Sequence, residues 1–190
     1  MMPIRSKKKV HPPTVLTKET VQTLFMEMKG KHLLKAKLLY GSELRLMECI
    51  RLRIQDVDFG QNKIYVRGGK GVKDRLSVLP LNIRDELRSH IDRVTVLHHE
   101  DLVKGFGKVN LPNALDRKYP NAAIETGWQY VFPVKKRSID PHAGKKMRHH
   151  VLETGLQKAV KRAVNQSGIY KNKDVIPFDI VLQRICWKMA

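Results

Sequence analysis

A helix that leads directly into a β-hairpin, between Tyr40 and Pro80, limits the possible folds more than any other stretch of this 190-residue chain. Apolar residues at helical spacing predict the helix: Leu44, Met47, Ile50 and Ile54. Three β-rich runs predict the strands: Val57 to Phe59, Lys63 to Val66 and Leu76 to Leu79. Gly60, Gln61 and Asn62 are typical of a turn. A helix feeding a small antiparallel sheet is therefore expected.

The start of that helix carries a candidate anion-binding residue. Gly41 is expected to end one helix and Ser42 to cap the next, which places Arg45 in the first turn. A guanidinium near the positive end of a helix dipole favours an anion such as a phosphate. Glu48 lies three residues on, on the same face, and can orient the Arg45 side chain. An ordinary surface ion pair is the alternative, and these two residues alone favour that alternative.

The turn between the second and third strands places a lysine among glycines, in the run Gly68-Gly69-Lys70-Gly71-Val72-Lys73. Glycines let a turn approach a ligand closely and present Lys70 on an exposed tip. Lys70 can then act as a point charge on a phosphate or as a proton donor. A solubilising basic turn is the alternative. Three other basic residues of the hairpin are further candidates for binding a phosphate backbone: Arg67, Lys73 and Arg75.

The charge of the chain points to a polyanionic partner. Lys and Arg number 37 against 18 Asp and Glu, which gives a formal net charge of +19. Binding to a polyanion through such charges depends steeply on salt, because counterions are released. No apolar run reaches membrane-spanning length and no signal peptide opens the chain, so no membrane partner is expected. The two cysteines give no disulfide framework, and a reducing bacterial cytoplasm is the expected compartment.

The rest of the chain divides into helices and one long connection. Residues 1–16 are expected to form a basic arm or linker. Helices are expected from Thr17 as an N-cap, from Lys31 to Leu39, from Leu81 to Val103 with Asn82 as a cap, and from Val151 to Gln166 with Leu152 facing inward. No Cys or third acid stands at metal spacing near His90, His98 and His99. These three are therefore expected to be solvated surface histidines.

The connection from Lys104 to His150 carries the densest basic clusters. Phosphate contact is the expected role of Lys135, Lys136, Arg137, Lys145, Lys146, Arg148 and His149. Trp128, Tyr130 and Phe132 alternate with other residues, which predicts a short strand with one aromatic face. Core packing is favoured for Trp128, and stacking on an extrahelical base is the functional alternative. A metal-dependent nuclease built on His149 and His150 is a remoter hypothesis, and no metal is expected.

Several motifs resemble those of tyrosine recombinases in order and spacing. They are Ser42-Glu43-Leu44-Arg45-Leu46-Met47-Glu48, Asp56-Val57-Asp58-Phe59 and Gly69-Lys70-Gly71-Val72-Lys73-Asp74-Arg75. Three later runs narrow the resemblance to integron integrases: Ala114-Leu115-Asp116-Arg117-Lys118-Tyr119-Pro120-Asn121-Ala122, Gly127-Trp128-Gln129-Tyr130-Val131-Phe132-Pro133 and Arg148-His149-His150. The similarity extends from about Val15 to Ile169, so chance is a poor explanation for it.

The resemblance implies an α+β fold: a mainly helical catalytic domain with a small antiparallel three-stranded sheet, truncated at the C-terminus. It implies DNA strand exchange without a metal or cofactor, in which a tyrosine attacks a DNA phosphate and forms a covalent link. Arg45 matches the first catalytic arginine, Glu48 its acidic neighbour, and Lys70 the hairpin lysine that protonates the departing 5′-oxygen. The implied partners are DNA at a recombination site, including a folded single strand, and other integrase subunits.

Two departures from the family pattern change the expected activity. Glu43 stands where the family usually has glycine, and its charge would oppose a phosphate at Arg45. Beyond Ile169, neither the family's His-x-Leu-Arg-His box nor its nucleophilic tyrosine is matched. We therefore expect a partial catalytic domain over 17–175 and a divergent tail over 176–190, which bind DNA without cleaving it. The alternative is a non-catalytic basic nucleic-acid-binding protein, or one that interferes with full-length integrases.

Overall fold

The computed structural model describes residues 17–68, 74–112, 115–119, 121–140 and 144–169, without the side chains of residues 116 and 117. Lys70, Lys73, the expected basic arm and the expected tail lie outside these residues. The α-helices in the described ranges are α1 Lys18–Met26, α2 Gly30–Ser42, α3 Leu46–Ile50, α4 Arg84–Val103, α5 Leu115–Lys118 and α6 Glu153–Gln166. The strands are β1 Val57–Asp58, β2 Lys63–Val66, β3 Arg75–Val78, β4 Ser138–Ile139 and β5 Lys146–Met147.

The predicted fold class is confirmed: the chain is mainly helical, with a three-stranded antiparallel sheet in the order β1-β2-β3. Ile64 pairs with Val57 on one side and with Ser77 on the other, so these residues share one face of the sheet. Val57, Ile64 and Val66 are buried on that face. The opposite face exposes Tyr65, Leu76 and Val78. Only one face of the sheet therefore belongs to the core.

The core centres on α2, whose apolar residues meet α6 and the sheet. Ala36, Leu38 and Leu39 are fully buried, as is Leu44 in the turn that follows. Leu156, Val160 and Ala163 recur at helical spacing on α6 and bury the same face. Burying a leucine fully contributes about 2 kcal/mol. Helices α1, α3 and α6 all pack against α2.

The turn between α2 and α3 differs from the prediction in its helix boundaries. Ser42 is the last residue of α2 rather than the cap of the next helix, and Glu43 follows in the left-handed conformation, with φ 50°. α3 is only five residues long, and Arg45 is its N-cap. Because α3 is so short, its dipole adds little to the charge of the Arg45 guanidinium.

The two longest later helices begin after the residues predicted to start them. Leu81–Ile83 forms a 3-10 turn without an Asn82 cap, and α4 starts at Arg84. Leu152 is the N-cap of α6 and is 69% exposed, so its predicted inward position is wrong. The first helix agrees with its predicted start, since the Thr17 side chain accepts from the amide of Thr20.

Two of the three histidines predicted to lie on the surface are buried. His90 is 1% and His98 is 4% exposed, whereas His99 is exposed. The Nε2 atoms of His90 and His98 lie 2.8 Å from the carbonyl oxygens of Val131 and Ile124. Since a carbonyl only accepts, each Nε2 carries the proton and donates it. Both histidines tie α4 to the long connection, which is why they are buried.

The predicted aromatic strand over 128–132 is absent from the described residues. Thr126–Trp128 is a 3-10 turn, and Tyr130 forms only an isolated antiparallel bridge with Arg53. The segment pairs with the chain after α3 through two bonds, from the Ile54 amide to the Gln129 carbonyl and from the Val131 amide to the Leu52 carbonyl. Trp128 is half-buried rather than fully packed in the core. No helix in the described ranges is both long enough and apolar enough to cross a bilayer.

Replacing Glu43 by glycine is expected to stabilise the fold. A side chain in the left-handed region costs roughly 1 kcal/mol, and glycine avoids this cost. The free energy of unfolding, measured by urea denaturation, should therefore rise by about 1 kcal/mol in Glu43→Gly. Asn62 has φ 51° and is the matched control. Asparagine tolerates this region, so Asn62→Gly should gain much less, and equal gains would contradict strain at Glu43.

Candidate active site

Glu48 fixes both the backbone and the side chain of Arg45. Its Oε2 accepts from the backbone amide of Arg45 at 2.8 Å, and its Oε1 accepts from Arg45 Nη1 at 3.3 Å. The Glu48 side chain is 10% exposed, whereas that of Arg45 is 57% exposed. A mostly buried carboxylate therefore holds a solvent-facing guanidinium in one orientation. Glu48 and Arg45 are thus in contact, and the catalytic role of the pair stays a prediction.

Arg75 of strand β3 binds the same carboxylate. Its Nη2 donates to Glu48 Oε2 at 2.8 Å and to the backbone carbonyl of Glu43 at 3.0 Å. Two residues further along the same strand, the Ser77 hydroxyl donates to the Ser42 carbonyl. The hairpin is thus fastened to the turn that carries Arg45. Two guanidinium groups meet at one carboxylate, which leaves a net positive charge facing solvent.

The backbone conformation of Glu43, rather than the charge of its side chain, explains why glycine suits this position. Glu43 adopts the left-handed conformation, its side chain is exposed, and its carbonyl accepts from Arg75. The requirement at this position lies in the backbone, because the chain must reverse between α2 and α3. The predicted conflict between the Glu43 carboxylate and a phosphate stays a prediction.

The base of the hairpin loop is closed by two polar contacts. The Asp74 carboxylate accepts from the Gly68 amide at 2.9 Å, and Gly68 has φ 62°. Arg67 Nε donates to Asp56 Oδ1 at 2.5 Å, and the Asp56 side chain is 6% exposed. Lys70 and Lys73 fall between Gly68 and Asp74 in the sequence and lie outside the described residues. Their proposed roles stay predictions, as does DNA contact by Arg67 and Arg75.

Asp101 of α4 gathers two arginines that the sequence pattern assigned to phosphate. Arg148 donates to its two oxygens at 2.6 and 2.9 Å, and Arg137 donates at 3.3 Å. Burial tends to raise the pKa of Asp101, but the hydrogen bond and charge of Arg148, with the charge of Arg137, hold the pKa below its usual 3.8. Both guanidinium groups are thus engaged inside the protein.

Arg148 also positions the basic loop that precedes β4. Its Nη1 donates to the carbonyls of Val134 and Lys135, at 2.9 and 2.5 Å. Arg137 packs 3.9 Å from the centroid of the Phe106 ring. These contacts give Arg137 and Arg148 a structural role, and direct phosphate contact by either stays a prediction. Four lysines of the same region are exposed: Lys135, Lys136, Lys145 and Lys146.

Trp128 belongs to a cluster built around the buried Arg53. The Arg53 guanidinium lies 5.6 Å from the Trp128 ring centroid and 4.5 Å from that of Tyr130. It donates to the carbonyls of Trp128 and Asn110, at 2.5 and 2.7 Å. Burial lowers the pKa of Arg53, and the neighbouring Tyr130 opposes this. Arg53 therefore fastens two loops together, and base stacking by Trp128 stays a prediction.

The adjacent histidines have different neighbours. His149 Nε2 lies 3.5 Å from Asp140 Oδ2, whereas His150 Nδ1 lies 2.8 Å from the Val151 carbonyl. In the described ranges, no three His, Cys, Asp or Glu residues are grouped as a metal site requires.

Sequence reasoning missed Arg53 and Asp101, whose burial follows from tertiary contacts. The only available signal was a single acid at the end of a long helix.

Comparison with known proteins assigns the chain to a family. The model of the phage integrase family matches residues 14–178. The chain belongs to the phage integrase, or tyrosine recombinase, family. A protein described as an integrase/recombinase of Escherichia coli is 42% identical over 159 residues, which cover 84% of this chain and 47% of that protein. A counterpart in Pseudomonas aeruginosa is equally similar.

Archaeal relatives agree with this assignment. The tyrosine recombinase XerA of Thermococcus kodakarensis is 31% identical over 172 residues, covering 83% of this chain and 55% of that protein. A crystal structure of XerA recombinase superposes with a TM-score of 0.54 at 18% identity and covers 96% of this chain and 53% of that one. That structure supports the fold. The chain spans about half the length of these relatives.

Removing the Glu48 carboxylate is expected to loosen the site. Glu48→Ala leaves two guanidinium groups and one amide without their acceptor, so the free energy of unfolding should fall by about 2 kcal/mol. Glu48→Gln keeps an oxygen for the Arg45 amide and should lose about half as much. Urea denaturation measures both. An equal loss in the two variants would mean that capping contributes nothing.

The pH dependence of stability tests Asp101. Because its folded pKa is depressed, Asp101 stabilises the fold above its unfolded pKa, and this contribution is lost as the pH falls through the folded value. Asp101→Asn should lower the free energy of unfolding by roughly 3 kcal/mol at pH 7. The difference from the parent should shrink below about pH 4. Asp92→Asn, an exposed change on the same helix, is the control and should show neither effect.

Proposed function

We propose that this chain is the catalytic-domain part of an integron-type tyrosine recombinase, which binds DNA at a recombination site. The observation that carries the proposal is the Glu48 carboxylate, which joins Arg45 of the turn to Arg75 of the hairpin. Such a carboxylate fixes a guanidinium before substrate arrives. Charge that is fixed in advance stabilises the charge that develops on a phosphate during transfer.

In this proposal, Arg45 binds the non-bridging oxygens of the scissile phosphate. Its side chain is exposed, and one carboxylate oxygen leaves most of its five donors free. Arg75 is a positioning residue that keeps the hairpin against the turn. Lys70, which follows β2 in the sequence and lies outside the described residues, is assigned proton donation to the departing 5′-oxygen. No metal or cofactor is assigned a role.

We further propose that the chain makes no phosphotyrosyl link by itself. Tyr40 packs edge-on against Phe25, and Tyr130 lies over Arg53. Tyr65 points from the exposed face of the sheet, and Tyr119 lies against Lys118. No hydrogen bond or ring contact joins any of these four described tyrosines to Arg45 or Glu48. In the same proposal, the partners are a recombination site, including a folded single strand, and other integrase subunits. The compartment is the bacterial cytoplasm.

The second candidate is a non-catalytic basic nucleic-acid-binding protein, or one that interferes with full-length integrases. The exposed lysines 135, 136, 145 and 146 favour it, because they need no catalytic site to bind phosphate. The two candidates differ in one respect. Recombinase chemistry requires Arg45 at a single phosphate, whereas general charge binding does not distinguish Arg45 from other exposed arginines.

The affinity for a labelled attachment-site duplex tests the proposal. Arg45→Ala should weaken binding about tenfold and lower the slope of log affinity against log salt by about 0.9. Arg88→Ala, an exposed change on α4, is the matched control and should alter neither. Equal effects in the two variants would favour general charge binding. A denaturant-resistant adduct on a suicide duplex, lost in Arg45→Ala, would show that the chain has a nucleophile and would contradict the proposal that it forms no phosphotyrosyl link.

A further inference from the structure

Cations from four separate segments converge on one side of α2. Lys31 and Lys35 lie one turn apart on the same face of α2, and His90 and Arg93 are similarly spaced on α4. The loop after Phe132 contributes Lys135, whose charge acts on Lys31 together with that of Arg93. Helix α6 contributes Arg162, whose charge acts on His32 beside Lys35. We define the basic cluster by five side chains: Lys31, Lys35, Arg93, Lys135 and Arg162.

The floor of the basic cluster is a buried stack of three side chains. Lys35 is 2% exposed, and its ammonium lies 5.7 Å from the centroid of the Phe132 ring. Phe132 in turn stacks on the His90 ring, with centroids 5.1 Å apart. The other four cations of the cluster are exposed. A buried ammonium therefore lies beneath an exposed rim of positive charge.

No carboxylate neutralises this charge within the described residues. The ion pairs closer than 4.0 Å in those ranges use other cations, and none includes a member of the basic cluster. A desolvated ammonium without a counterion costs several kcal/mol. An external anion would remove that cost.

The electrostatics of the neighbouring groups agree with an unneutralised site. Burial lowers the pKa of Lys31, and Lys135 and Arg93 lower it further. Burial also lowers the pKa of His90 to about 4, against the hydrogen bond to Val131, and Lys31, Arg93 and Lys35 add to this lowering. These cations repel one another, and a bound phosphate would relieve that repulsion, which favours its binding.

Two buried ring nitrogens at the same place lack a partner. His90 donates from Nε2 to the Val131 carbonyl, which leaves Nδ1 without a hydrogen bond. His32, whose pKa is lowered by burial and by Lys35 and Arg162, also has an unpaired, buried Nδ1. Buried polar atoms normally have partners. With the proton on Nε2, His90 Nδ1 only accepts, so the partner it lacks is a donor such as water rather than a phosphate oxygen.

We propose that the basic cluster is a second phosphate-binding site, which holds the backbone of the DNA duplex away from the phosphate at Arg45. This rests on the proposed function, since it takes DNA as the ligand. Eleven residues of α2 separate Lys31 from Glu43, which begins the turn that carries Arg45. At 1.5 Å per residue the distance from Lys31 to Glu43 is about 18 Å, or roughly five base pairs of DNA. The two sites together would fix the register of the duplex.

The loop contacts support this assignment over a chance grouping of surface lysines. Arg148 holds the Lys135 carbonyl while it pairs with Asp101, so Lys135 is placed by a buried ion pair. The cations also come from helices whose packing fixes them. An acidic protein segment would supply carboxylates to the same charges, and binding of polyglutamate distinguishes it from a phosphate backbone.

Salt dependence of duplex binding tests the proposal. The parent is compared with a triple variant, Lys31→Gln, Arg93→Gln and Lys135→Gln, on a mixed-sequence duplex of about 30 base pairs. The control triple, Lys18→Gln, Lys104→Gln and Lys108→Gln, removes the same charge from exposed positions elsewhere. The cluster variant should lower the slope of log affinity against log salt by about 2.7, and the control by less than about 1.

A buried variant supplies an independent readout. Lys35→Met should raise the melting temperature without DNA, because it removes an unpaired buried charge. It should also reduce the rise in melting temperature that the duplex produces in the parent. A DNA-induced rise equal to that of the parent would contradict the proposal.

The outcomes separate this proposal from the proposed function. Equal slopes in the two triple variants, with binding still sensitive to Arg45→Ala, overturn the second site alone. No duplex binding by the parent overturns both. If polyglutamate binds the parent and is lost in the cluster variant while duplex affinity is unchanged, the site takes an acidic protein segment and the phosphate assignment is wrong.

Discussion

The fold of the candidate site depends on one carboxylate shared between two arginines. Glu48 caps the turn after α2, orients Arg45 and receives Arg75 from the hairpin. A charge that is 10% exposed and paired on both oxygens is held more firmly than a surface ion pair. The contacts of Glu48 therefore position the sheet against the turn between α2 and α3, and they leave the Arg45 guanidinium facing solvent.

Positive charge is handled in two different ways in this recombinase-family chain. At Asp101 two arginines share one buried carboxylate, and they hold the long connection against α4. Beside α2 it is left without a counterion in the described residues, over a buried ammonium. The first arrangement maintains the loop geometry, and the second depends on that geometry because Lys135 belongs to the loop. Stability and anion binding are thus coupled through Arg148.

The sequence predicted the elements whose pattern is local. The strands of the hairpin, the face of α6 and the pairing of Arg45 with Glu48 follow from spacing alone. The left-handed Glu43 was missed, since glutamate does not favour that conformation. His90 and His98 were missed because their burial comes from carbonyls 41 and 26 residues away in the chain. Likewise, a basic run cannot reveal that Arg148 pairs inward while Lys135 points outward.

The exposed face of the sheet has a consequence for the behaviour of the chain in solution. Leu76 and Val78 lie on β3, which is an edge strand, and both are more than half exposed. Edge strands with apolar residues add to one another unless something keeps them apart. At low ionic strength a net charge of +19 supplies that repulsion. Added salt screens it, so the conditions that release a polyanion are also those that favour strand-to-strand association.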